Sequence, residues 1–322
     1  MPLPTTRTTR LAPTPSGALH IGNARTFIAT WALARHEDWR IILRLEDLDL
    51  GRVKPGAHEA ALEDIRWLKL DWDGAPEVQS HDSIPYRDAL AALAAQGLTF
   101  PCDRSRAEIR SAASAPHAED GETRFPPELR APTPWATSIE SWHTNHRLLV
   151  EPAPETVLDE LLGEHVFNPG LEAGDFVLWT KLGVPAYQLA VVVDDARHGV
   201  TDVVRGADLL ASAARQQIIA RRLGCVHARW WHLPLVYDTD GKRLAKRHGA
   251  HSLAALRERR VQPERVIGWC AWSLGLLPAL EPIESRDLVA LTSPGALRAA
   301  AQRTRERPTV FMPSDLDWIH QA

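Results

Sequence analysis

Cysteine is scarce in this chain: Cys102, Cys225 and Cys270 stand far apart, and no Cys-x-x-Cys occurs. An odd, dispersed set excludes a disulfide scaffold and a structural zinc site built mainly from cysteine, and it suits a reducing, cytoplasmic location. Long apolar runs are missing as well. No segment approaches the ~18 residues of a membrane span, and Met1–Arg10 has no signal-peptide core, so the sequence predicts no membrane partner and no secretion. Lysine is the third shortage. Only five of the 37 basic residues are lysines, and two of those, Lys242 and Lys246, lie four residues apart. In an arginine-dominated chain that placement asks for a chemical reason.

What is present is otherwise ordinary. The 322 residues are 44% hydrophobic and 24% charged, a soluble globular composition long enough for two or three domains. The formal net charge of −4 argues against a polyanionic partner only as an average. Gly241–Ala322 holds 13 basic residues against 8 acidic ones, and the remainder holds 24 against 33. An acidic front joined to a basic tail suits a chain that meets a polyanion at one end.

Periodicity predicts a short strand at Thr8–Ala12, a turn at Pro13–Gly17, a helix through Arg35, an alternating strand at Arg40–Glu46 and an amphipathic helix at Gly56–Leu70. That order points to a parallel α/β sheet. A helix at Pro85–Ala95 and a strand near Leu98–Cys102 follow. From Ser105 to Glu155, prolines crowd a stretch with little periodicity, which predicts an irregular insertion with a mobile middle. Order returns at Asp175–Thr180. The β-branched core of Tyr187–Asp194 is read as a strand in preference to a buried helix. Val200–Arg205 is a further strand, Asp208–Leu223 a helix, Leu233–Val236 a last strand and Asp238–Gly249 a loop. Everything after Ser252 reads as helical.

Three constellations carry chemistry. Leu19-His-Ile-Gly-Asn23 follows the first strand and opens a helix, whose free amides and positive dipole end form a ready anion site. His20 and Asn23 project from one face as phosphate donors, and Gly22 leaves room for a flat ring; the same residues also fit a capped helix with a surface histidine. Gly241-Lys-Arg-Leu-Ala-Lys-Arg-His-Gly249 gathers cations that a phosphate chain would satisfy, although a solvated basic loop has the same appearance. Arg10, Glu46, Tyr187 and Arg205 fall beside strand ends, where parallel sheets bind ligands. Each alone also fits an edge residue or a surface ion pair.

In this order the segments resemble a known family. Arg10-Leu-Ala-Pro-Thr-Pro-Ser-Gly17 with Leu19-His-Ile-Gly-Asn23 resembles the opening of class I glutamyl-tRNA synthetases and their HIGH-type motif. Leu43-Arg-Leu-Glu-Asp-Leu-Asp49 is similar to the segment that follows there, and Arg243-Leu-Ala-Lys-Arg247 to the KMSKS-type loop. Ala186–Asp195 and Gly199–Leu210 resemble, more narrowly, the glutamyl-queuosine tRNA(Asp) synthetases, short paralogues similar to the catalytic half of the larger enzyme. The resemblance spans about Arg10 to Ala250.

It implies a class I aminoacyl-tRNA synthetase-type Rossmann fold with an inserted domain and a small C-terminal helical domain. The expected divisions are 1–98 and 185–240 for the two catalytic halves, 99–184 for the insertion, and 241–322 for the KMSKS-type loop and helical tail. The implied L-glutamate site is Arg10, Leu11, Ala12, Pro13, Thr14, Glu46, Tyr187 and Arg205. The implied ATP site is His20, Gly22, Asn23, Arg243 and Lys246, with His20, Asn23 and Lys246 as the catalytic group and magnesium accompanying the phosphates. Asn23 departs from the motif's last histidine, and Ala245 and Arg247 replace its serines. A further departure removes zinc from the expectation. The family's Cys-x-Cys is here Cys102-Asp103-Arg104, and its later tyrosine and cysteine fall on Phe125 and Leu129, so the insertion must be held by packing alone or be looser.

The implied activity is ATP-dependent formation of glutamyl-adenylate and transfer of glutamate to queuosine at the wobble position of tRNA(Asp), by a monomer that meets the anticodon region. Only 75 residues follow Arg247, fewer than an anticodon-reading region needs, and this favours the queuosine-modifying paralogue. The alternatives are a truncated synthetase charging the acceptor end of tRNA(Glu), a tRNA-independent glutamate-adenylating ligase, and an inactive tRNA-binding relic.

Overall fold

The computed structural model describes residues 6–49, 51–112, 124–131, 133, 135, 137–244 and 252–321. The chain opens with β1 (Thr8–Leu11), α1 (Ile21–His36), β2 (Arg40–Leu45), α2 (Ala57–Trp67), β3 (Glu77–Val78) and α3 (Ile84–Ala95), close to the expected limits except for β3, a short strand that the periodicity did not predict. Buried side chains surround α1 on most of its circumference, as befits a helix covered on all sides.

The inserted region is more ordered than its sequence suggests. β4 (Thr99–Cys102), α4 (Arg106–Ala112) and β5 (Asn145–Leu148) are followed by the hairpin β6 (Glu155–Asp159) and β7 (Gly163–Phe167), then α5 (Pro169–Glu172) and β8 (Val177–Trp179). β4, β5 and β8 form an antiparallel sheet. The stretch expected to be mobile has its centre, residues 113–123, outside the described residues. Cys102 and Phe125, two positions where the family resemblance expects metal ligands, meet instead in one hydrophobic cluster with Phe100, Ile109 and Leu149, and Leu129 packs against it. The rings of Phe100 and Phe125 lie 5.8 Å apart, and the Arg147 guanidinium lies 4.2 Å from the Phe125 ring. Gly174 is required beneath them, because a Cβ there would lie 2.3 Å from the Phe125 carbonyl oxygen.

The second half contains α6 (Tyr187–Arg197), β9 (Asp202–Gly206), α7 (Leu210–Arg222), β10 (Arg229–Leu233) and β11 (Val236–Tyr237). The segment expected as a strand from Tyr187 is therefore the helix α6. Its five consecutive apolar residues Leu189–Val193 are all buried, so a helix hydrophobic around its whole girth shows no period of its own. The last strand expected at Leu233–Val236 is instead the junction between β10 and β11. After Ser252 come α8 (Leu253–Glu258), α9 (Pro263–Ser273), α10 (Ser285–Leu291), α11 (Pro294–Glu306), the short β12 (Thr309–Val310) paired with β11, and α12 (Pro313–His320).

The pairing is parallel in β1–β2, β2–β3, β9–β10 and β10–β6, with β7 antiparallel at the edge. β1 meets β9 where the Thr201 amide donates to the Thr8 carbonyl over 2.9 Å and the Thr8 amide donates to Thr201 Oγ1 over 2.8 Å. From β1 the chain winds through α1 to β2; from β9 it winds through α7 to β10, the other way. The β1–β9 boundary is thus a topological switch point, where open α/β sheets bind ligands outside the carboxyl ends of their strands.

Candidate active site

A cavity of about 330 Å³ opens at that boundary. β1 and the turn after it contribute Arg10, Ala12 and Thr14; Glu46 follows directly on β2; β9 and its exit supply Val204, Arg205 and Leu209; α6 begins at Tyr187; and α1 closes the wall with Thr26, Phe27 and Thr30. Six of the expected glutamate-site residues are therefore neighbours. Leu11 and Pro13 are not in the lining. Leu11 is buried in the core, while the Pro13 carbonyl accepts the Glu46 amide over 3.0 Å and so fixes the end of β2.

The cavity's charges rest on a buried layer of counter-charges. Arg44, beneath Glu46, donates from Nη2 to Glu46 Oε1 (3.0 Å) and from Nη1 to Asp195 Oδ1 (2.7 Å). Burial works against the Arg44 charge, but the carboxylates of Asp195, Glu46 and Asp194 outweigh it and hold the guanidinium above its ordinary pKa. Asp195 also lies 3.7 Å from Arg10 Nε, and Asp194 accepts from Gln79 (2.7 Å) and from the Tyr86 hydroxyl (2.9 Å). Burial raises the Glu46 carboxyl above the usual carboxylate range despite Arg44 and Arg10. A cationic group entering beside it would relieve that penalty.

Arg205 is held on several sides. Its Nε donates to His232 Nε2 (3.0 Å), Nη1 to Gln216 Oε1 (2.9 Å) and Nη2 to the Leu209 carbonyl (3.1 Å), and the Tyr187 side chain lines the cavity beside the same guanidinium. Tyr187 itself is 41% exposed at the cavity mouth. Burial lowers the pKa of Arg205, which stays a cation at any ordinary pH.

The α1 N-terminus adjoins this region. His20 is the N-cap: its Nδ1 accepts from the Gly22 amide (3.0 Å), and Asn23 Oδ1 accepts the His20 amide (3.1 Å), a reciprocal capping box. Since Nδ1 is an acceptor, a neutral His20 carries its proton on Nε2. The ring lying over Gly22 is that of His20 itself, since a Cβ at residue 22 would come within 2.8 Å of its Cε1. Asn23 therefore spends its carbonyl on the cap and keeps its amide for donation.

Arg243 pairs with Asp208, just beyond Arg205 in sequence. Lys246 lies outside the described residues, but both flanks of its loop reach the α1 N-terminus. The Leu244 carbonyl is 3.9 Å from where a residue-22 Cβ would stand, and Ser252 bridges to His20. Sequence reasoning did not single out Arg44, Asp194, Asp195, His232 and Asp159. The adjacent aspartates closing an apolar run were the available signal for the middle pair.

A doubly wound parallel sheet with a ligand cavity and a capped helix at its switch point defines an α/β protein of the Rossmann type. The family model for the catalytic domain of class I tRNA synthetases (E and Q) matches residues 7–273. The Glutamyl-Q tRNA(Asp) synthetase of Symbiobacterium thermophilum is 44% identical over 87% of this chain and 90% of that protein, and that of Rhodopirellula baltica is 42% identical over 84% and 85%. A crystal structure of a glutamate-tRNA synthetase from Elizabethkingia anophelis superposes with a TM-score of 0.79 at 22% identity, covering 98% of this chain and 70% of that one, a likeness of fold. The chain belongs to the class I tRNA synthetase family (E and Q), and within it to the glutamyl-Q tRNA(Asp) synthetases. Among the described residues, no helix is long and apolar enough to cross a membrane, and no group of three or more His, Cys, Asp or Glu is placed to hold a metal ion.

Proposed function

We propose that this chain activates L-glutamate with ATP and transfers the glutamyl group to the queuosine base at the wobble position of tRNA(Asp). The observation that carries the reading is the match, over most of their length, to relatives named Glutamyl-Q tRNA(Asp) synthetase, combined with a cavity whose charges complement glutamate. Glutamate brings two carboxylates and one ammonium; the cavity offers Arg10, Arg205 and Glu46. Arg205 is assigned to the γ-carboxylate, Glu46 to the ammonium, and Tyr187 to the mouth beside Arg205. Arg10, with Ala12 and Thr14, faces the remaining carboxylate.

In the first step an oxygen of the glutamate carboxylate forms a bond to the α-phosphorus of ATP, and the bond to the bridging oxygen breaks to release pyrophosphate. The products are glutamyl-adenylate and pyrophosphate. Protein assistance to such a step is positioning and charge stabilisation. His20 Nε2–H and the Asn23 amide donate from the α1 N-terminus; Lys246 and Arg243 are assigned to the phosphates by their places in the KMSKS-type motif, with magnesium entering as part of the ATP complex. Arg243 leaves Asp208 to reach them. In the second step a queuosine hydroxyl oxygen bonds to the carbonyl carbon of the mixed anhydride, the bond from that carbon to the phosphate oxygen breaks, and AMP departs as the hydroxyl proton passes to its phosphate or to water. The protein acts as a monomer.

The test is transfer of radiolabelled glutamate to tRNA(Asp) that carries or lacks queuosine. Labelling of the queuosine-containing tRNA alone is expected. Appreciable labelling of the queuosine-free tRNA, or of tRNA(Glu), would overturn the choice of acceptor. Transfer to a small amine that survives ribonuclease treatment would mark a tRNA-independent ligase.

A further inference from the structure

We propose that His232, fixed in one tautomer by Asp159, is a positioning residue that aims Arg205 at glutamate and so sets the enzyme's affinity for it. The inference rests on the glutamate-activating reading above and adds residues that touch no substrate.

β9 and β10 run in parallel with Arg205 opposite His232, so the two side chains stand side by side on one face of the sheet. The guanidinium Nε always bears hydrogen, so the 3.0 Å contact requires a lone pair on His232 Nε2. The imidazole proton then sits on Nδ1, which faces Asp159 Oδ2 at 2.6 Å. Asp159, on β6, is committed to that role. It also accepts from the amides of His232 (3.0 Å), Leu161 (2.9 Å) and Leu162 (2.8 Å), so its oxygens are held as acceptors that cannot turn away. Both members of the pair are fully buried.

Other groups around the imidazole reinforce this arrangement. The Trp230 ring stacks 6.3 Å from His232 and lies 4.9 Å from the Arg205 guanidinium carbon, and the Leu209 carbonyl accepts from Arg205 Nη2. Gln216 takes Nη1 and is itself anchored, its amide donating to Gln188 Oε1 over 2.9 Å. The plane of the fork is therefore set by His232 on its Nε edge and by Gln216 and Leu209 on its terminal nitrogens. Removal of the Nε acceptor would leave a buried donor unpaired and the fork held only through its terminal nitrogens.

The experiment compares His232→Asn with His232→Gln in glutamate-dependent ATP–pyrophosphate exchange, with queuosine-containing tRNA(Asp) present. Asparagine ends near the position of Nδ1 and keeps Asp159 but gives Arg205 nothing. Glutamine reaches the position of Nε2 and restores an acceptor. His232→Asn should raise the KM for glutamate about tenfold, the loss expected for one hydrogen bond to a charged group, with the KM for ATP unchanged. His232→Gln should stay within about threefold of the parent. Equal glutamate KM values for the Asn variant and the parent, or a parallel loss in both variants for both substrates, would overturn the positioning role while leaving the activity assignment standing. No glutamate-dependent exchange by the parent would overturn the activity and, with it, this proposal. Nitrogen-15 NMR of the imidazole gives a readout free of catalysis: a proton on Nε2 in place of Nδ1 refutes the relay whatever the kinetics.

Discussion

Gly22 and His20 show how far a single residue controls this site. The His20 ring folds back over residue 22 to cap α1, and the geometry leaves no room for a methyl group: a Cβ would stand 2.8 Å from Cε1 and 3.0 Å from Nδ1. Gly22→Ala must displace the ring, break the cap and move the Nε2 donor away from the phosphate side. The cap is worth about 1 kcal/mol, so the thermal midpoint should fall by a few degrees. Exchange should fall by at least about tenfold, because donors that are misplaced lose transition-state stabilisation. A variant with a lowered melting temperature but undiminished exchange would show that His20 serves only as a cap. At this scale, Arg10, Glu46, Tyr187 and Arg205 were legible through the motifs. Arg44, Asp194 and Asp195 were not, because their meaning arises from contacts across some 150 positions, such as Arg44 to Asp195, which no local pattern encodes.

Among the elements, the inserted region best separates composition from structure. Three of the four zinc-ligand positions of the resembled family, Cys102, Phe125 and Leu129, fall here in a hydrophobic cluster in which Phe125 is fully buried between Phe100 and the Arg147 guanidinium. Packing provides what coordination would otherwise supply. Phe125→Ala should cost about 3–5 kcal/mol, the range for truncating a buried aromatic residue, and unfold the β4–β5–β8 sheet first. Treatment of the parent protein with a zinc chelator should leave the melting profile unchanged. A profile shifted downward by the chelator would place a metal in the fold. The elements that escaped sequence analysis did so for identifiable reasons. The apolar run Leu189–Val193 of α6 is buried without interruption and shows neither a helical nor a strand period. The β6–β7 hairpin hides because two of the three inward residues of β6 are carboxylates: Glu155 receives Arg221 and Gln217, Asp159 receives His232, and only Val157 between them is apolar. One apolar residue among the buried positions leaves no hydrophobic period to read.

Across the whole molecule, one hydrophobic cluster runs from Leu11 and the α1 residues to Leu253, Trp269, Leu297 and Ile319, so the helical tail is packed onto the catalytic sheet. Arg25, on α1, reinforces the junction by donating to Ser273 Oγ (3.0 Å) and to the Pro234 carbonyl (2.7 Å). Buried ionisable groups in this body determine its response to acid. Burial lowers His232 from 6.5 to about 4. Between those values the unfolded chain binds a proton that the folded chain refuses, so stability falls as pH drops through the window, by up to about 3 kcal/mol. Asp64 acts in the opposite sense. Burial outweighs its partner Arg257 and raises it from 3.8 to about 6. There the folded chain takes up the proton first, and acidification stabilises it by a comparable amount, about 3 kcal/mol at most. The two groups oppose each other between about pH 6 and 4, so their joint contribution is close to flat and each is exposed only when the other is removed. Asp64→Asn should lose thermal stability between pH 6.5 and 4.5 more steeply than the parent. His232→Gln should lose less than the parent, or gain. Melting temperatures across that range decide the matter, and three parallel profiles would show that neither group titrates as its burial requires.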